Sequence, residues 1–538
     1  MFGYDVSIGY YWFLGKFQFL GFYGASLMVV VDVLRDFAFQ VESGITLQVQ
    51  LYQALKTRIL TGRLIASTRL PSSRQLAASL SVSRNTVNGA LEQLKAEGYI
   101  KTKQGAGHYV SDELPESFLL VHKQSDIDLG DVDLPSSVAN TKGLSVSAFG
   151  QTVLGKPVPG DVSNDLPIRA EAKNTSFEAG VPDLKAFPIK KWRQIAGDNL
   201  RISLMGYDSP QGYEPLRSVL ADYLRSSRGL ECSADQIIIT VGAQQANSIA
   251  LNVLLNEGDT AYVENPGYIG MRKAIAARGA NAQGIDVGDE GIDITQLPSK
   301  PTGKLICLTP THQYPMGGIV PLGNRLRILQ WAATHGIWVV EDDYDSEYHY
   351  DHKPIAAMQG LGLKEQVIYI GSFSKVLFPA LRLGYMVVPG RLVQACVATK
   401  TYMSGQTPII DQATTAEFIQ SGLFLRHLHR MRLLYETKLQ AILTACNKHL
   451  SNVATPIYSG AGMHIVLTFN KSALKGVKDI DVVNVMNKKQ IYGSALSTYY
   501  VGKPKYQGLV LGFANTGVSD MDEAIDKIGQ AIDELYLF

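Results

Sequence analysis

Apolar residues recur along this chain with two different periods, and the change of period divides it. After residue 46 the pattern is helical. A first helix is predicted over 47–61, with Val49, Leu51, Leu55 and Leu60 among its apolar positions. Leu70-Pro71 interrupts it, and in SSRQLAASL either Ser72 or Ser73 can cap a second short helix running to Leu80. Ser81-Val82 leaves a short turn. Ser83 can then cap a third helix, on which Val87, Ala90, Leu91 and Leu94 share one face. YIKTKQGAGHYV follows as a hairpin, with Gly105 and Gly107 permitting its turn. Residues 111–172, rich in Asp, Ser, Pro, Gly and Val, keep neither period and read as a linker. From 173 onward, β-rich runs (IIITVG, TAYVEN, KLICLTP, IWVVEDD, VIYIG) alternate with amphipathic stretches. That alternation predicts a mostly parallel α/β sheet.

The expected organisation is therefore an N-terminal extension of uncertain nature over 1–45, a small α+β winged helix-turn-helix over 46–112, a linker over 113–172 and a large α/β domain over 173–538. Within the extension, residues 9–31 are apolar and aromatic but broken by Lys16. A membrane span of borderline length with a charge near its middle is unfavourable. A signal peptide would need a basic start and a small-residue cleavage site, which are missing. Our expectation is that translation begins at Met28, with a membrane anchor or some other packing role as the competing readings.

Charge changes the picture only locally. The 538 residues carry 50 basic and 49 acidic side chains, so overall charge points to no partner. Residues 46–110, however, hold nine Lys/Arg against two Glu, a net of +7. On the third helix Arg84, Asn85 and Asn88 are left on the exposed side near the N-terminus, where a recognition helix presents side chains to the major groove. Arg pairs bidentately with guanine and Asn with adenine. A small helical bundle with a solvated basic face is the alternative on these residues alone. The four cysteines (Cys232, Cys307, Cys396, Cys446) lie far apart without ligand-like spacing. They exclude a disulfide framework and a structural zinc site, and fit a reducing cytoplasm.

LPSSRQLAASLSVSRNTVNGALEQLKAEGYIKTKQGAGHYV resembles the GntR-type winged helix almost throughout. The resemblance implies promoter DNA as partner. It assigns DNA contacts to Arg74, Arg84 and Asn88, with Ser83, Asn85 and Thr86 around the recognition-helix start. Lys103, Gly105 and Gly107 fall in a wing whose tip enters the minor groove.

In the large domain, Lys375 follows the run VIYIG within GSFSKVLFPALRLGY. A lysine that forms a Schiff base must lose its proton, which burial or a neighbouring cation favours. Ser372, Ser374 and Arg382 can bind a phosphate dianion. Taken alone, SxSK could equally be a surface loop. IWVVEDDYDSEYHY ends a buried-type strand in an acidic cluster 33 residues before Lys375. One carboxylate there can pair with a protonated pyridine nitrogen. The cluster lacks calcium-loop spacing, and no metal is expected. IIITVGAQQANSIALNVLL reads as strand, turn and helix, with Gly242, Ala243 and Gln244 offering backbone N–H groups to an anion. In NPGY, Tyr268 is a ring able to stack on a cofactor, or else a core tyrosine.

In this order the segments resemble the class I/II aminotransferases of pyridoxal 5'-phosphate (PLP) fold type I, over roughly residues 175–535. The resemblance implies PLP as cofactor, Lys375 as the Schiff-base lysine and sole catalytic residue, and Asp342 as partner of the pyridine nitrogen. It puts Tyr344 beside the phenolic oxygen and Tyr268 on the ring. Gly242, Ala243, Gln244, Ser372, Ser374 and Arg382 become the phosphate cradle, and Tyr207 reaches the phosphate of the other subunit in a homodimer. Two departures stand out. TPTHQYPMGG replaces the usual NPxNPTG, with Tyr314 where its second Asn would be, and Val510 in GLVLGFAN stands where a carboxylate-gripping arginine is expected. Loss of that charge-assisted grip weakens amino-acid transamination.

A GntR-type winged helix, a linker and an aminotransferase-like domain together resemble the MocR-type regulators. The resemblance implies a cytoplasmic homodimeric transcription regulator. PLP itself, or a small amine or amino acid, would be its effector, and the placement of the winged domains is the candidate two-state feature. An active aminotransferase with a DNA-binding appendage is the alternative, and the retained lysine and aspartate leave half-reactions open.

Overall fold

The computed structural model describes residues 37–40, 44–103, 107–112, 114, 177–350, 356–470 and 476–536. The apolar stretch 9–31, nearly all of the expected linker and Gly105 lie outside them. The chain divides into two compact units, Met1–Thr141 and Lys142–Phe538. Among the described residues no helix is long and apolar enough to cross a membrane.

The first unit holds α1 (Leu47–Leu60), α2 (Ser73–Leu80), α3 (Arg84–Ala96) and a hairpin of β1 (Ile100–Lys103) and β2 (Gly107–Val110). Leu51, Leu55 and Ile59 of α1 pack with Val87, Leu91 and Leu94 of α3, and Leu76 anchors α2 on the same core. Of the two candidate caps for α2, Ser72 is the one used. Its hydroxyl accepts from Gln75 N in a capping box. Ser83 caps α3, accepting from Thr86 N at 3.1 Å. Ser81 takes the left-handed conformation (φ 54°) that turns the chain between the two helices.

The second unit is built on a sheet of eight strands: β3 (Ile237–Thr240), β4 (Thr260–Asn265), β5 (Asn281–Gly288), β6 (Gly291–Ile292), β7 (Leu305–Leu308), β8 (Trp338–Asp343), β9 (Val367–Ser372) and β10 (Gly384–Val387). Their spatial order is β3-β10-β9-β8-β7-β4-β5-β6. The central run β9-β8-β7-β4-β5 is parallel, as the alternation of strand and helix requires. The sheet is nevertheless mixed, because β10 runs antiparallel between β3 and β9 and β6 runs antiparallel to β5. Hydrophobicity cannot reveal strand direction. GYMV is buried at every position, as a parallel strand would be. A second, antiparallel sheet has the order β11 (Ala454–Ile457), β12 (His464–Phe469), β14 (Gly508–Gly512), β13 (Ser494–Ala495).

Candidate functional sites

Strand direction builds the main site. β3, β4, β8 and β9 all end at one edge of the sheet, where ligands of open α/β sheets bind. Because β10 is antiparallel, it begins at that same edge, with Gly384 opposite both Thr240 of β3 and Ser372 of β9. Two segments distant in sequence therefore converge: the turn after β3 and the loop that joins β9 to β10, both of whose ends lie at this edge. The helix Gly242–Leu254 starts there, and its first N–H groups lack intrahelical acceptors. Gly242 has φ +74°, and a Cβ on it would lie 3.2 Å from a terminal nitrogen of Arg382. Arg382 is itself left-handed (φ 49°), a conformation costly for a side-chain-bearing residue and retained at sites that need it. Among the described residues no carboxylate pairs with its guanidinium. Ser374 N donates to Ser372 Oγ at 3.1 Å, which folds the loop back toward this corner.

Lys375 follows that loop. Burial pushes its pKa down and Arg382 adds to this, while Asp345 and Asp342 oppose it. Gly180, at φ +77°, covers it so closely that a Cβ there would lie 2.3 Å from Lys375 Nζ. Asp342, at the end of β8, is 8 % exposed. Burial raises its carboxyl to about 6, against the hydrogen bond that Asn247 Nδ2 donates at 3.2 Å and the charge of Lys375. Tyr268 keeps an open ring (39 % exposed), and its hydroxyl donates to Gln244 Oε1 at 3.2 Å. Gly242, Gln244, Tyr268, Asp342, Ser372, Ser374, Lys375 and Arg382 thus gather at one edge.

Tyr344 and its surroundings form the other wall. Tyr344 Oη lies 2.9 Å from His312 Nδ1, which is also 3.0 Å from Asp345 Oδ2. The His312 ring stands 5.0 Å from that of His464, whose Nε2 meets the Pro315 carbonyl at 2.8 Å. Buried Gln313 clamps the loop by donating to the carbonyls of Pro266 and Tyr314. Tyr314 then projects into a cluster with Val466, Leu496, Tyr499 and Val510, and its hydroxyl meets that of Tyr499 at 3.1 Å. Asn247, Gly180, Asp345, His464 and Tyr499 were not singled out from the sequence. Asn247 alone carried a usable signal, as a polar residue on the helix face that buries Ala246, Ile249 and Ala250.

Tyr207 is not brought to this site. It is fully exposed, as are Ile202 (87 %) and Tyr402 (92 %). Hydrogen bonds between Gln406 and residues 206–208 hold these two stretches side by side.

In the first unit, Arg74, Arg84, Asn85 and Asn88 are exposed. Arg84 Nε donates to Ser73 Oγ at 3.3 Å, so α2 steadies the start of α3. Ser83 and Thr86 are tied up in the cap, their hydroxyls 2.8 Å apart. Lys103 lies over the Tyr109 ring at 4.9 Å, and Gly107 (φ +96°) opens β2.

Residues 173–528 match the profile of the family "Aminotransferase class I and II", and residues 47–110 that of "Bacterial regulatory proteins, gntR family". The probable rhizopine catabolism regulatory protein MocR of Rhizobium meliloti is 34% identical over 485 residues, covering 90% of this chain and 93% of that one. This chain belongs to the MocR type of GntR-family transcription regulators. The pyridoxine biosynthesis transcriptional regulator PdxR of Corynebacterium glutamicum is 27% identical, over 90% of this chain and 95% of its own. Among solved structures, the α-aminoadipate aminotransferase LysN of Thermus thermophilus matches the regulator with a TM-score of 0.62 at 27% identity, covering 68% of this chain and 94% of that one. The second unit of the regulator has the PLP fold type I architecture, and the first carries the DNA-binding fold of its family.

Proposed function

We propose that this regulator binds PLP in the second unit and a small effector beside it, and that their binding changes the affinity of the first unit for promoter DNA. The observation that carries the reading is the convergence at the β3, β9 and β10 ends. There Arg382, which no carboxylate among the described residues pairs, a helix start and two serines offer donors suited to a phosphate. They sit beside a lysine whose pKa burial depresses. The donor chemistry fits the cofactor, and so does the space kept open by Gly242 and Gly180. Lys375 would bond the group. Asp342, oriented by Asn247, would accept from its ring nitrogen, Tyr268 would cover the ring and Tyr344 would lie near its phenolic oxygen. Gly242, Ala243, Gln244, Ser372, Ser374 and Arg382 would hold the phosphate. Once bound, the group supplies an electrophilic carbon that a primary amine can engage in place of the lysine.

The exposed Tyr207, with Ile202 and Tyr402 around it, suits the face through which a second copy docks and Tyr207 reaches that copy's phosphate site. The functional unit on this reading is a cytoplasmic homodimer, each chain divided at 46–112, 113–172 and 173–538. Arg74, Arg84, Asn85 and Asn88 would contact DNA, Lys103 and the 104–108 tip would form the wing contact, and Ser83 and Thr86 would hold the helix start in place. An effector shifts the DNA equilibrium only by binding two conformations with different affinity.

The test is the visible absorption of the full chain incubated with PLP, in wild type and Lys375→Ala, beside a promoter titration. A band near roughly 420 nm that the variant lacks, accompanied by changed promoter affinity, is expected. No band in wild type would sink the cofactor assignment.

A further inference from the structure

Three segments far apart in sequence meet beside Tyr344. His312 lies in the loop after β7, Tyr344 and Asp345 directly follow β8, and Gly462 precedes β12, which His464 opens. His312 Nδ1 lies 3.1 and 3.0 Å from the two carboxylate oxygens of Asp345, and 2.9 Å from Tyr344 Oη. His312 and Asp345 are both buried. Gly462 (φ +77°) closes over the pair: a Cβ on it would collide with His312 Cε1 and Nδ1 and lie 2.7 Å from Asp345 Oδ2. His464, whose Nε2 donates to the Pro315 carbonyl at 2.8 Å, packs on the His312 ring with centroids 5.0 Å apart.

These contacts fix where the hydrogens lie. One ring nitrogen serves two oxygen-bearing partners, and it carries at most one hydrogen. A carboxylate only accepts, so Nδ1 holds that hydrogen whether the ring is neutral or charged. A bare Nδ1 would leave the buried carboxylate facing a lone pair, with its charge unoffset. Tyr344 Oη therefore meets Nδ1 as an acceptor, and its own hydrogen points in another direction. The charges of Asp342 and Asp345 both reach Tyr344, and those of the same two residues reach Lys375. The phenol thus stands among the groups assigned to the cofactor.

We infer that Asp345, acting through His312, is a positioning residue for Tyr344: it keeps the hydrogen on His312 Nδ1 and so directs the Tyr344 hydroxyl hydrogen toward the ring oxygen of a cofactor held at Lys375. The inference rests on the cofactor reading above, because that oxygen belongs to the cofactor. A donor on the ring oxygen favours the form of the bound group that has lost its proton. Losing the donor therefore moves the pH midpoint of the Lys375-dependent absorption band upward. Removing the charge of Asp345 acts in the opposite sense, by no longer disfavouring that more negative form. His349 and His464 also face His312, and Tyr314 and Tyr350 face Asp345. A comparison in which all these neighbours stay constant is therefore needed.

A double-mutant cycle supplies it. The full chain, loaded with PLP, is titrated with pH while the visible band is followed, in wild type, Asp345→Asn, Tyr344→Phe and the double variant. Asp345→Asn is expected to move the midpoint further upward when Tyr344 is present than in the Tyr344→Phe background, by about one pH unit. His312→Gln, read in the same two backgrounds, should show the same dependence on Tyr344, and it stands in should Asp345→Asn not fold. An equal shift in both backgrounds overturns the inference, since Asp345 would then act by its charge alone. So does the absence of any shift. In both cases a band that depends on Lys375 leaves the PLP reading standing. Absence of that band in wild type brings down both, so the two failures are told apart.

Discussion

Asp342 is a carboxylate that the fold holds at a loss until something pairs with it. It is 8 % exposed, accepts one hydrogen bond among the described residues, from Asn247, and has Asp343 and Asp345 as like-charged neighbours against the opposite charge of Lys375. Burial raises its pKa to about 6 from an ordinary 3.8. Between those two values the folded chain binds a proton that the unfolded chain has released, so this group's contribution to stability falls as pH rises from about 4 to 6. Above pH 6 the full difference is expressed, and it amounts to roughly 3 kcal/mol.

Asp342→Asn keeps the shape and removes the charge. Cofactor-free Asp342→Asn should therefore be about 2–3 kcal/mol more stable than wild type at pH 8. For a unit of this size that raises the thermal midpoint by roughly 3 °C. The advantage should shrink as pH falls through 6 and vanish near pH 4. Thermal scans of both proteins at pH 8, 6 and 4.5 read it directly. Addition of PLP should reverse the ranking, because a neutral amide accepts from a protonated ring nitrogen without offsetting its charge. A variant less stable than wild type at pH 8, or an advantage independent of pH, would refute the reasoning.

Gly180→Ala would place a methyl group on Lys375 Nζ in a left-handed residue. It should cost about 1–2 kcal/mol of stability and abolish the Lys375-dependent absorption band, whereas Gly197→Ala, with open space around it, should leave that band intact. Ser83→Ala removes the cap of α3 and should lower the urea stability of the first unit by about 1 kcal/mol. Arg84→Ala should relax sequence preference at one operator position with a loss of about 1–3 kcal/mol in promoter affinity. Lys103→Ala should instead weaken all sequences alike and lower the salt dependence of binding by about one phosphate contact. Fluorescence titrations against matched and mismatched DNA at two salt concentrations separate these last two outcomes.

The local grammar of the chain was legible because the interactions that set it are local. Ser83 caps α3 three residues ahead of the amide it accepts from, and Val87, Ala90, Leu91 and Leu94 keep a helical period. Lys375, Asp342 and Gly242 were legible by resemblance, and topology brought them to one sheet edge. The partners of those residues were not legible. Asn247 meets Asp342 across 95 residues, and Tyr314 meets Tyr499 across 185. Gly180 lies on Lys375 only because the segment around Phe177 bonds to Gly512 of β14. Such contacts depend on how strands are ordered, and β10 is the clearest case. Its reversed direction sets Arg382 beside Gly242 and leaves no trace in its own hydrophobic pattern.

The same contacts bear on how an aminotransferase architecture would serve sensing in place of turnover. Transamination requires the site to hold an amino acid more tightly in the transition state than in the ground state. A bidentate grip on the carboxylate fixes the orientation of the reacting bond. Val510, Tyr314 and Tyr499 share one buried cluster, and on the reading proposed above Val510 would stand where an aminotransferase carries the arginine for that grip. A sensor has a weaker requirement, namely a different affinity for its ligand in two conformations. On the proposed reading, Lys375, Asp342 and the residues assigned to the phosphate would be sufficient for that. Val510→Arg tests that account: the variant should gain amino-transfer to a keto acid when given serine, and a variant with no such gain would refute the assignment of Val510 to the arginine's place.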